Sequence, residues 1–376
     1  MRYLDHNASS PLRPEARAAM ERALALHGNA SSVHGAGRAA RALIEEARDK
    51  IAALAGRRPQ EVVFTSGGSE ANWLALSGAL RGVAQAGEPV TRLIVSAIEH
   101  DSIVANALSL AQRSPGLRLD VLCATPKGVI DLDALKDMLR GDGARTLVCA
   151  MAANNETGVI QPLGDVMAMA RETGALVLAD AVQAAGRHMT IEADYVSLSA
   201  HKIGGPQGVG ALIVGEDAPF APQILGGGQE RGLRAGTENL SGIAGFGAAA
   251  SVWRMEGADL RDRFERGLKA VAPDAVIFGE AATRLANTSN FALPGVASET
   301  ALMALDLDGV MVSSGAACSS GKLRPSHVLK AMGVGDELAR CALRVSFGWN
   351  STEDDVDGAL ASLSKLVGRL RSQEAA

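Results

Sequence analysis

Short apolar runs alternate with helix-periodic stretches over most of this chain, and that alternation restricts the possible folds more than any other feature. Amphipathic or alanine-rich segments separate one run from the next, as expected for strands that are joined by helices. The pattern predicts an α/β fold with a mainly parallel sheet, in which ligands gather at the carboxyl ends of the strands. The predicted strands span residues 62–65, 93–96, 119–123, 147–151, 176–179, 196–199 and 209–214.

Two charged residues follow predicted strands at the point where each strand ends. Lys202 comes after the strand 196–199. Burial would lower the pKa of its amine and leave it partly neutral, as Schiff-base chemistry requires. In the alternative interpretation, Lys202 is an ordinary surface lysine at the end of a strand. Asp180 comes after the strand 176–179. A carboxylate buried at this position would need a cationic partner, because an unpaired buried charge is costly. In the alternative interpretation, Asp180 only caps the helix that follows.

Further polar groups follow the other strands. The segment SGGSEAN after residue 65 leads into a helix, whose exposed amides and Ser69 hydroxyl either hold an anion or only cap the helix. His100 follows the second predicted strand, and Asn155 follows the fourth. The His100 ring either takes part in function or is a hydrogen-bonded structural histidine. An anion site, a stackable ring, an acid and a lysine at one sheet edge are what pyridoxal phosphate (PLP) requires.

The second half of the chain has a different character. Residues 226–239, GGGQERGLRAGTEN, form a glycine- and arginine-rich loop that is typical of an active site or a subunit contact. After a helix that ends near residue 253, short strands near 275–278 and 289–293 alternate with helical pieces. We expect a large domain over residues 13–253 and a smaller α/β domain formed by residues 1–12 and 254–376.

The four cysteines are Cys123, Cys149, Cys318 and Cys341, and none has CxxC spacing, so neither a disulfide framework nor a zinc site is expected. Cys123 and Cys149 lie in apolar runs and are predicted to be core residues. Cys318 lies among serine, alanine and glycine, where a thiol would be exposed and reactive; an incidental loop cysteine is the alternative. Arg344 is predicted to end the strand in CALRVSFG, where it could bind a carboxylate through two nitrogens.

Composition excludes several classes of partner. The chain has 376 residues, 47% of them apolar, with 3% aromatic residues and a net charge of -5. A mildly acidic chain without a basic block argues against nucleic acid or an anionic membrane as the main partner. The N-terminus lacks a signal-peptide core, and the uncharged run 239–253 is too short to span a bilayer. We expect a cytoplasmic protein.

Taken in order, these motifs resemble the cysteine desulfurases of the NifS/IscS type, within the class-V aminotransferase family of fold-type I PLP enzymes. The similarity runs nearly from end to end. It rests on YLDHNAS, FTSGGSEAN, EHDS, NNETG, ADAVQ, SAHKIGGPQGVGAL, GGGQERGLRAGTEN and SSGAACSSG. The resemblance implies a PLP-binding large domain with a seven-stranded sheet and a small domain that carries the loop with the catalytic cysteine.

The resemblance also implies a role for each site residue. Lys202 would form the Schiff base with PLP, Asp180 would bind the pyridine nitrogen, and His100 would stack on the ring and act in catalysis. The remaining implied contacts are Gln183 to the ring oxygen, Gly68, Ser69, Ser199 and His201 to the phosphate, Thr237 to the phosphate across a homodimer interface, and Asn155 and Arg344 to the substrate carboxylate. No metal is implied.

The implied reaction is the removal of sulfur from L-cysteine. L-cysteine displaces Lys202, Lys202 moves the α-proton, and the Cys318 thiolate attacks the substrate sulfur. Alanine leaves and a persulfide remains on Cys318 for an acceptor, such as a scaffold for iron–sulfur cluster assembly or an enzyme that makes another thio-cofactor. Ser69 replaces the commoner threonine of the family, and Ala316 and Arg324 stand where serine and glutamate are usual.

Other functions compatible with these motifs are a selenocysteine lyase, another fold-type I enzyme such as an aminotransferase, and a catalytically idle scaffold. An aminotransferase has no need of Cys318, and a scaffold has no need of Lys202, Asp180 and His100 together.

Overall fold

The computed structural model describes residues 1–85, 89–185, 191–254, 257–314 and 325–374. The strands, in chain order, are β1 (Arg2–Tyr3), β2 (Val62–Thr65), β3 (Arg92–Ser96), β4 (Arg118–Leu122), β5 (Thr146–Cys149), β6 (Leu176–Asp180), β7 (Tyr195–Ser199), β8 (Gly210–Val214), β9 (Val276–Ile277), β10 (Thr288–Ala292), β11 (Val310–Met311), β12 (Ser313–Ser314) and β13 (Ala342–Ser346). The α-helices are α1 (Pro14–Leu24), α2 (Gly35–Ala55), α3 (Gly68–Gln85), α4 (Asp101–Arg113), α5 (Leu132–Leu139), α6 (Leu163–Thr173), α7 (Leu240–Val252), α8 (Ala258–Val271), α9 (Ser298–Leu307), α10 (His327–Ala331), α11 (Asp336–Ala339) and α12 (Glu353–Glu374).

A seven-stranded sheet with the order β2-β8-β7-β6-β5-β3-β4 forms the centre of the fold. Strand β8 runs antiparallel to both of its neighbours, and the other adjacent pairs are parallel. The prediction of a mainly parallel sheet is confirmed, and each predicted strand matches an observed one to within two residues at either end.

Helices cover both faces of this sheet, which explains why its central strands are continuous apolar runs rather than alternating ones. Every residue of β3 and β5 is buried. Successive side chains point to opposite faces: Ile94 and Val148 join a core cluster with residues of α2, α6 and α7, whereas Leu93 and Leu147 join a second cluster with residues of α3 and α4. The sheet is therefore packed on both faces, and its carboxyl edge is left open to a ligand.

A smaller antiparallel sheet with the order β12-β13-β10-β9 follows in the C-terminal part, and β1 pairs with β11. Leu4 shares a core cluster with Phe264, Phe291 and Val356, so the N-terminal segment packs with the C-terminal part. The division into residues 13–253 and residues 1–12 with 254–376 stays a prediction. Arg344 lies at the centre of β13, paired with Asn290 and Ser313, rather than at the end of the strand as expected from the sequence.

Two expectations about cysteines have different outcomes. Cys149 is buried, as predicted. Cys123 is exposed, so its assignment to the core is wrong: it follows β4, the edge strand of the large sheet, where an apolar run has solvent on one side. Over the described ranges, we find no cluster of side chains suited to a metal ion and no helix that is long and apolar enough to cross a membrane.

Candidate active site

A cleft with a volume of ≈ 310 Å³ opens at the carboxyl edge of the large sheet. Most of the predicted site residues line it. These are Gly68, Ser69, His100, Asn155, Asp180, Gln183, Ser199, His201, Lys202 and Arg344. Sequence reasoning gave no role to the other lining residues, which are Asn7, Ala8, Asn72, Ser102, Met151, Ala153 and Val182. The strands of the large sheet bring most of these distant segments together, because their carboxyl ends meet at one edge, whereas Asn7, Ala8 and Arg344 come from outside this sheet.

Lys202 ends a short 3-10 turn, Ala200–Lys202, that directly follows β7. Its Nζ donates to the carbonyl oxygens of Asn7 at 2.6 Å and Ala8 at 2.9 Å. Burial and the nearby Arg344 guanidinium lower the pKa of Lys202 to about 8, against the opposing effect of Asp5 and Asp180. Much of this amine is therefore neutral in mildly alkaline solution, as a nucleophilic lysine must be.

Asp180 is the last residue of β6 and is buried. One carboxylate oxygen accepts from Asn72 Nδ2 at 2.9 Å, and the other accepts from the backbone amide of Val182 at 3.0 Å. In the described part of the chain neither oxygen forms an ion pair. A buried carboxylate that faces a cleft with only neutral donors fits a cationic ligand group, such as a protonated pyridine nitrogen.

His100 caps the N-terminus of α4 and is connected to Asp180 by two side chains. Asn72 Nδ2 donates to both Asp180 and Ser102 Oγ, and Ser102 Oγ lies 2.8 Å from Nδ1 of His100. Since the backbone amide of Ser102 also donates to Nδ1, the network assigns the ring proton to Nε2. Asn72 lies three residues after Ser69 on one helix face, which is the only sequence signal for its place here.

The start of α3 forms a hollow beside the cleft that could hold an anion. A Cβ atom at Gly68 would approach Val182 Cγ2 to 2.8 Å, so any larger residue there would require Val182 to shift. This hollow continues from the cleft along Gly68, Ser69, Ser199 and His201 to the N-terminus of the helix. Burial and Lys202 lower the pKa of His201 to about 4, which keeps its ring neutral. Helix amides with neutral hydroxyl and imidazole groups suit a phosphate.

Arg344 and Gln183 complete the cleft on the side of the small sheet. Arg344 is 3% exposed, and it donates from Nη1 to the carbonyl oxygen of Asn155 at 2.9 Å. Its Nη2 donates to Asp5 Oδ1 at 2.7 Å, and Nε has no hydrogen-bond partner among the residues described. Gln183 Nε2 donates to the carbonyl oxygen of Asn7, which also accepts from Lys202. Asn7 belongs to YLDHNAS, a motif that by itself indicated no role.

Two predicted residues are not placed in the cleft. Thr237 lies in a separate hollow with Arg234 and Glu238. Cys318 lies in residues 315–324, outside the described residues, so its predicted role stays a prediction. The chain is described again from residue 325, and there Ser326 donates to Glu156 Oε2 at 2.5 Å.

Two buried glutamates near the cleft were not anticipated. Burial and Asp180 raise the pKa of Glu99 to about 8, and its Oε1 accepts from the amide of Met151 at 2.6 Å. Burial raises the pKa of Glu156 to about 7, against the opposing effect of Ser326 and other neighbours. Their motifs, EHDS and NNETG, drew attention to the neighbouring residues only.

Known proteins resemble this chain over nearly its whole length. The family model described as Aminotransferase class-V matches residues 2–358. A cysteine desulfurase of Cereibacter sphaeroides is 42% identical, with 98% of this chain and 96% of that protein covered. The protein called cysteine desulfurase IscS of Dictyoglomus turgidum is 39% identical, with 98% of this chain and 95% of that protein covered.

A solved structure of a NifS-like protein from Rickettsia africae has a TM-score of 0.86 at 32% identity, and the alignment covers 97% of this chain and 99% of that one. The mainly parallel seven-stranded sheet with its helices agrees with these matches. The chain therefore belongs to the class-V aminotransferase family, and within it to the PLP-dependent cysteine desulfurases of the NifS/IscS type.

Proposed function

We propose that this protein removes sulfur from L-cysteine, releases L-alanine and holds the sulfur as a persulfide on Cys318. One observation carries the proposal: Lys202, with its lowered pKa, shares a single cleft with Asp180, His100 and Arg344. A nucleophilic amine, an acid for a protonated ring nitrogen, a stackable ring and a carboxylate ligand are the groups that a PLP enzyme acting on an amino acid needs.

PLP, when bound, supplies an electron sink for the bonds of the substrate α-carbon. The cleft residues fit it: Lys202 would hold the aldehyde carbon, Asp180 the ring nitrogen, and Gly68 with Ser69 the phosphate. Arg344 and Asn155 would orient the carboxylate of L-cysteine. Lys202, once displaced, would take the proton from the α-carbon, and a positioned base of this kind contributes roughly 10²–10⁴ to the rate.

In the second part of the proposed reaction, Cys318 takes the sulfur atom from the substrate. Its thiolate forms an S–S bond with the substrate sulfur as the substrate C–S bond breaks, and the bonding pair stays with the substrate carbon. That carbon gains a proton as L-alanine forms. The persulfide would then pass to a thiol acceptor, such as an iron–sulfur scaffold protein. A related structure, solved as "SspA in complex with cysteine", is 28% identical with a TM-score of 0.81, which supports cysteine as the substrate.

We also propose a cytoplasmic homodimer. Thr237 lies outside the cleft of its own chain, which supports its donation to the phosphate site of a partner subunit. The loop that carries it contains Glu230 and Arg231, two consecutive non-glycine residues with positive φ, 46° and 58°. Such strain persists only where the surroundings hold it, often at a functional contact.

Sulfide and alanine release from L-cysteine in the presence of a reductant tests the proposal. The parent protein should be yellow and should release both products. A Cys318→Ala variant should release no sulfide, whereas Cys123→Ala, which removes an exposed thiol outside the cleft, should behave like the parent. A yellow protein without cysteine turnover, or one indifferent to the loss of Cys318, would indicate a PLP enzyme of another specificity.

A further inference from the structure

The arginine assigned to the substrate carboxylate already has a carboxylate partner within the protein. Arg344 Nη2 donates to Asp5 Oδ1 at 2.7 Å, and the two side chains are 4% and 18% exposed. Arg344 lies at the centre of β13, whereas Asp5 lies just after β1, next to the segment that brings Asn7 and Ala8 to the cleft. This ion pair therefore joins the two ends of the chain at the substrate site.

Asp5 is held in place by contacts on several sides. Its Oδ2 accepts from Ser313 Oγ at 3.1 Å, and its backbone forms a bridge with Ser346 of β13. Asp5 is not one of the described residues that line the cleft. Asp5 therefore acts on a ligand through its contact with Arg344 and through its charge, without touching the ligand, which makes it a positioning residue rather than a catalytic one.

Two of the five N–H groups of Arg344 already have partners, and one of these partners is a carboxylate. Nη1 donates to the carbonyl oxygen of Asn155, Nη2 donates to Asp5 Oδ1, and Nε is without a partner among the residues described. The positive charge of the Arg344 guanidinium is already balanced by the Asp5 carboxylate. A substrate carboxylate that binds Arg344 would therefore also lie close to the negative charge of Asp5. Like charges repel most strongly where water is excluded, so Asp5 reduces the net attraction of this site for a carboxylate.

We propose, on the basis of the function proposed above, that Asp5 determines how tightly Arg344 binds amino-acid carboxylates, and that it weakens this binding. L-cysteine and L-alanine carry the same carboxylate, so an arginine without a competing acid would bind substrate and product alike. Binding that is equal in the ground state and the transition state lowers KM without raising kcat. Asp5 keeps the affinities for substrate and product moderate.

An Asp5→Asn holoenzyme tests this inference. The amide is isosteric and can still hydrogen-bond to Arg344 and Ser313, but it carries no charge. The KM for L-cysteine, and the dissociation constant of L-alanine followed by the absorbance of the bound cofactor, should both fall about tenfold, equivalent to ~1.4 kcal/mol. The kcat should stay near that of the parent. Cysteamine, which has the amine and thiol but no carboxylate, should show the same KM with both proteins.

Two further measurements separate charge from structure. Ser313→Ala removes the other side-chain hydrogen bond of Asp5 but keeps its charge, so it should leave L-alanine affinity unchanged. In Asp5→Asn, loss of the charge that raises the pKa of Lys202 should move the pH dependence of PLP uptake by the apo-protein to lower pH.

A weaker affinity for L-alanine in Asp5→Asn, or an equal change for cysteamine, would overturn the inference. A parent protein that does not turn over L-cysteine would instead contradict the proposed function, and the L-alanine titration would still decide the role of Asp5.

Discussion

Removal of one partner from the buried ion pair between Arg48 of α2 and Glu230 should destabilise this protein strongly. Nη1 and Nη2 of Arg48 donate to the two carboxylate oxygens of Glu230 at 2.7 and 2.9 Å, and each side chain is 2% exposed. Glu230 also accepts from the amide of Phe64, and Arg48 donates to the carbonyl oxygen of Val62. Substitution of Arg48→Met would leave a buried carboxylate without its cation.

The loss expected for breaking a buried pair in this way is about 3–5 kcal/mol. Lys50→Met on the same helix is a matched control, because Lys50 and Glu46 form a surface pair at 2.6 Å with side chains 35% and 67% exposed. Exposed pairs of this spacing contribute about 0.3–0.5 kcal/mol. The assay is urea denaturation of both variants and the parent, each saturated with PLP.

The expected result is a large drop in the free energy of unfolding for Arg48→Met and almost none for Lys50→Met. Because Glu230 holds the strained loop that leads to Thr237, Arg48→Met should also bind PLP more weakly. Equal stability of the two variants would refute the reasoning, since it would mean that loss of Arg48 does not leave Glu230 as a costly unpaired buried charge.

Three further outcomes follow from the site. The rate of PLP uptake by the apo-protein should rise with pH and level off above about 8, the pKa of Lys202, because only the neutral amine reacts; a rate still rising near the ordinary lysine value of 10.5 would contradict the assignment. Asn72→Ala should lower kcat/KM by about 10- to 100-fold, since a hydrogen bond to a charged group is worth ~1.5–3 kcal/mol, whereas Asn106→Ala, which removes a contact to the Ser102 carbonyl, should have little effect. Burial raises the pKa of Glu156 from 4.5 to about 7, so ionisation of Glu156 destabilises the folded state as the pH rises through this range. In urea denaturation, the free energy of unfolding of Glu156→Gln should therefore increase relative to that of the parent between pH 4.5 and about pH 7. A difference that does not change with pH would contradict this assignment.

Much of the sheet and of the cofactor site could be predicted from the sequence because both depend on local patterns. A buried parallel strand is a continuous apolar run, and the residue that follows it lies at the ligand edge. Asp180 and Lys202 were predicted to lie at this edge on that ground alone, and the structure places both in the cleft. The same argument did not reveal that β8 runs antiparallel, because an apolar run carries no direction.

The missed residues owe their positions to long-range packing. Asp5 and Arg344 are 339 residues apart, and no spacing rule connects them. Asn7 was part of a motif that drew attention to the family, but its backbone oxygen, which accepts from Lys202 and Gln183, is invisible in a sequence pattern. Cys123 was wrongly assigned to the core because an apolar run does not indicate whether its strand lies at an edge.

The measurement that tests the central claim most directly is mass spectrometry of the holoenzyme after one turnover with L-cysteine in the absence of a reductant. The account predicts one L-alanine released per subunit and the added mass of one sulfur atom on the peptide that contains Cys318. Alanine release with the sulfur on Cys123, or on no cysteine of the chain, would contradict it.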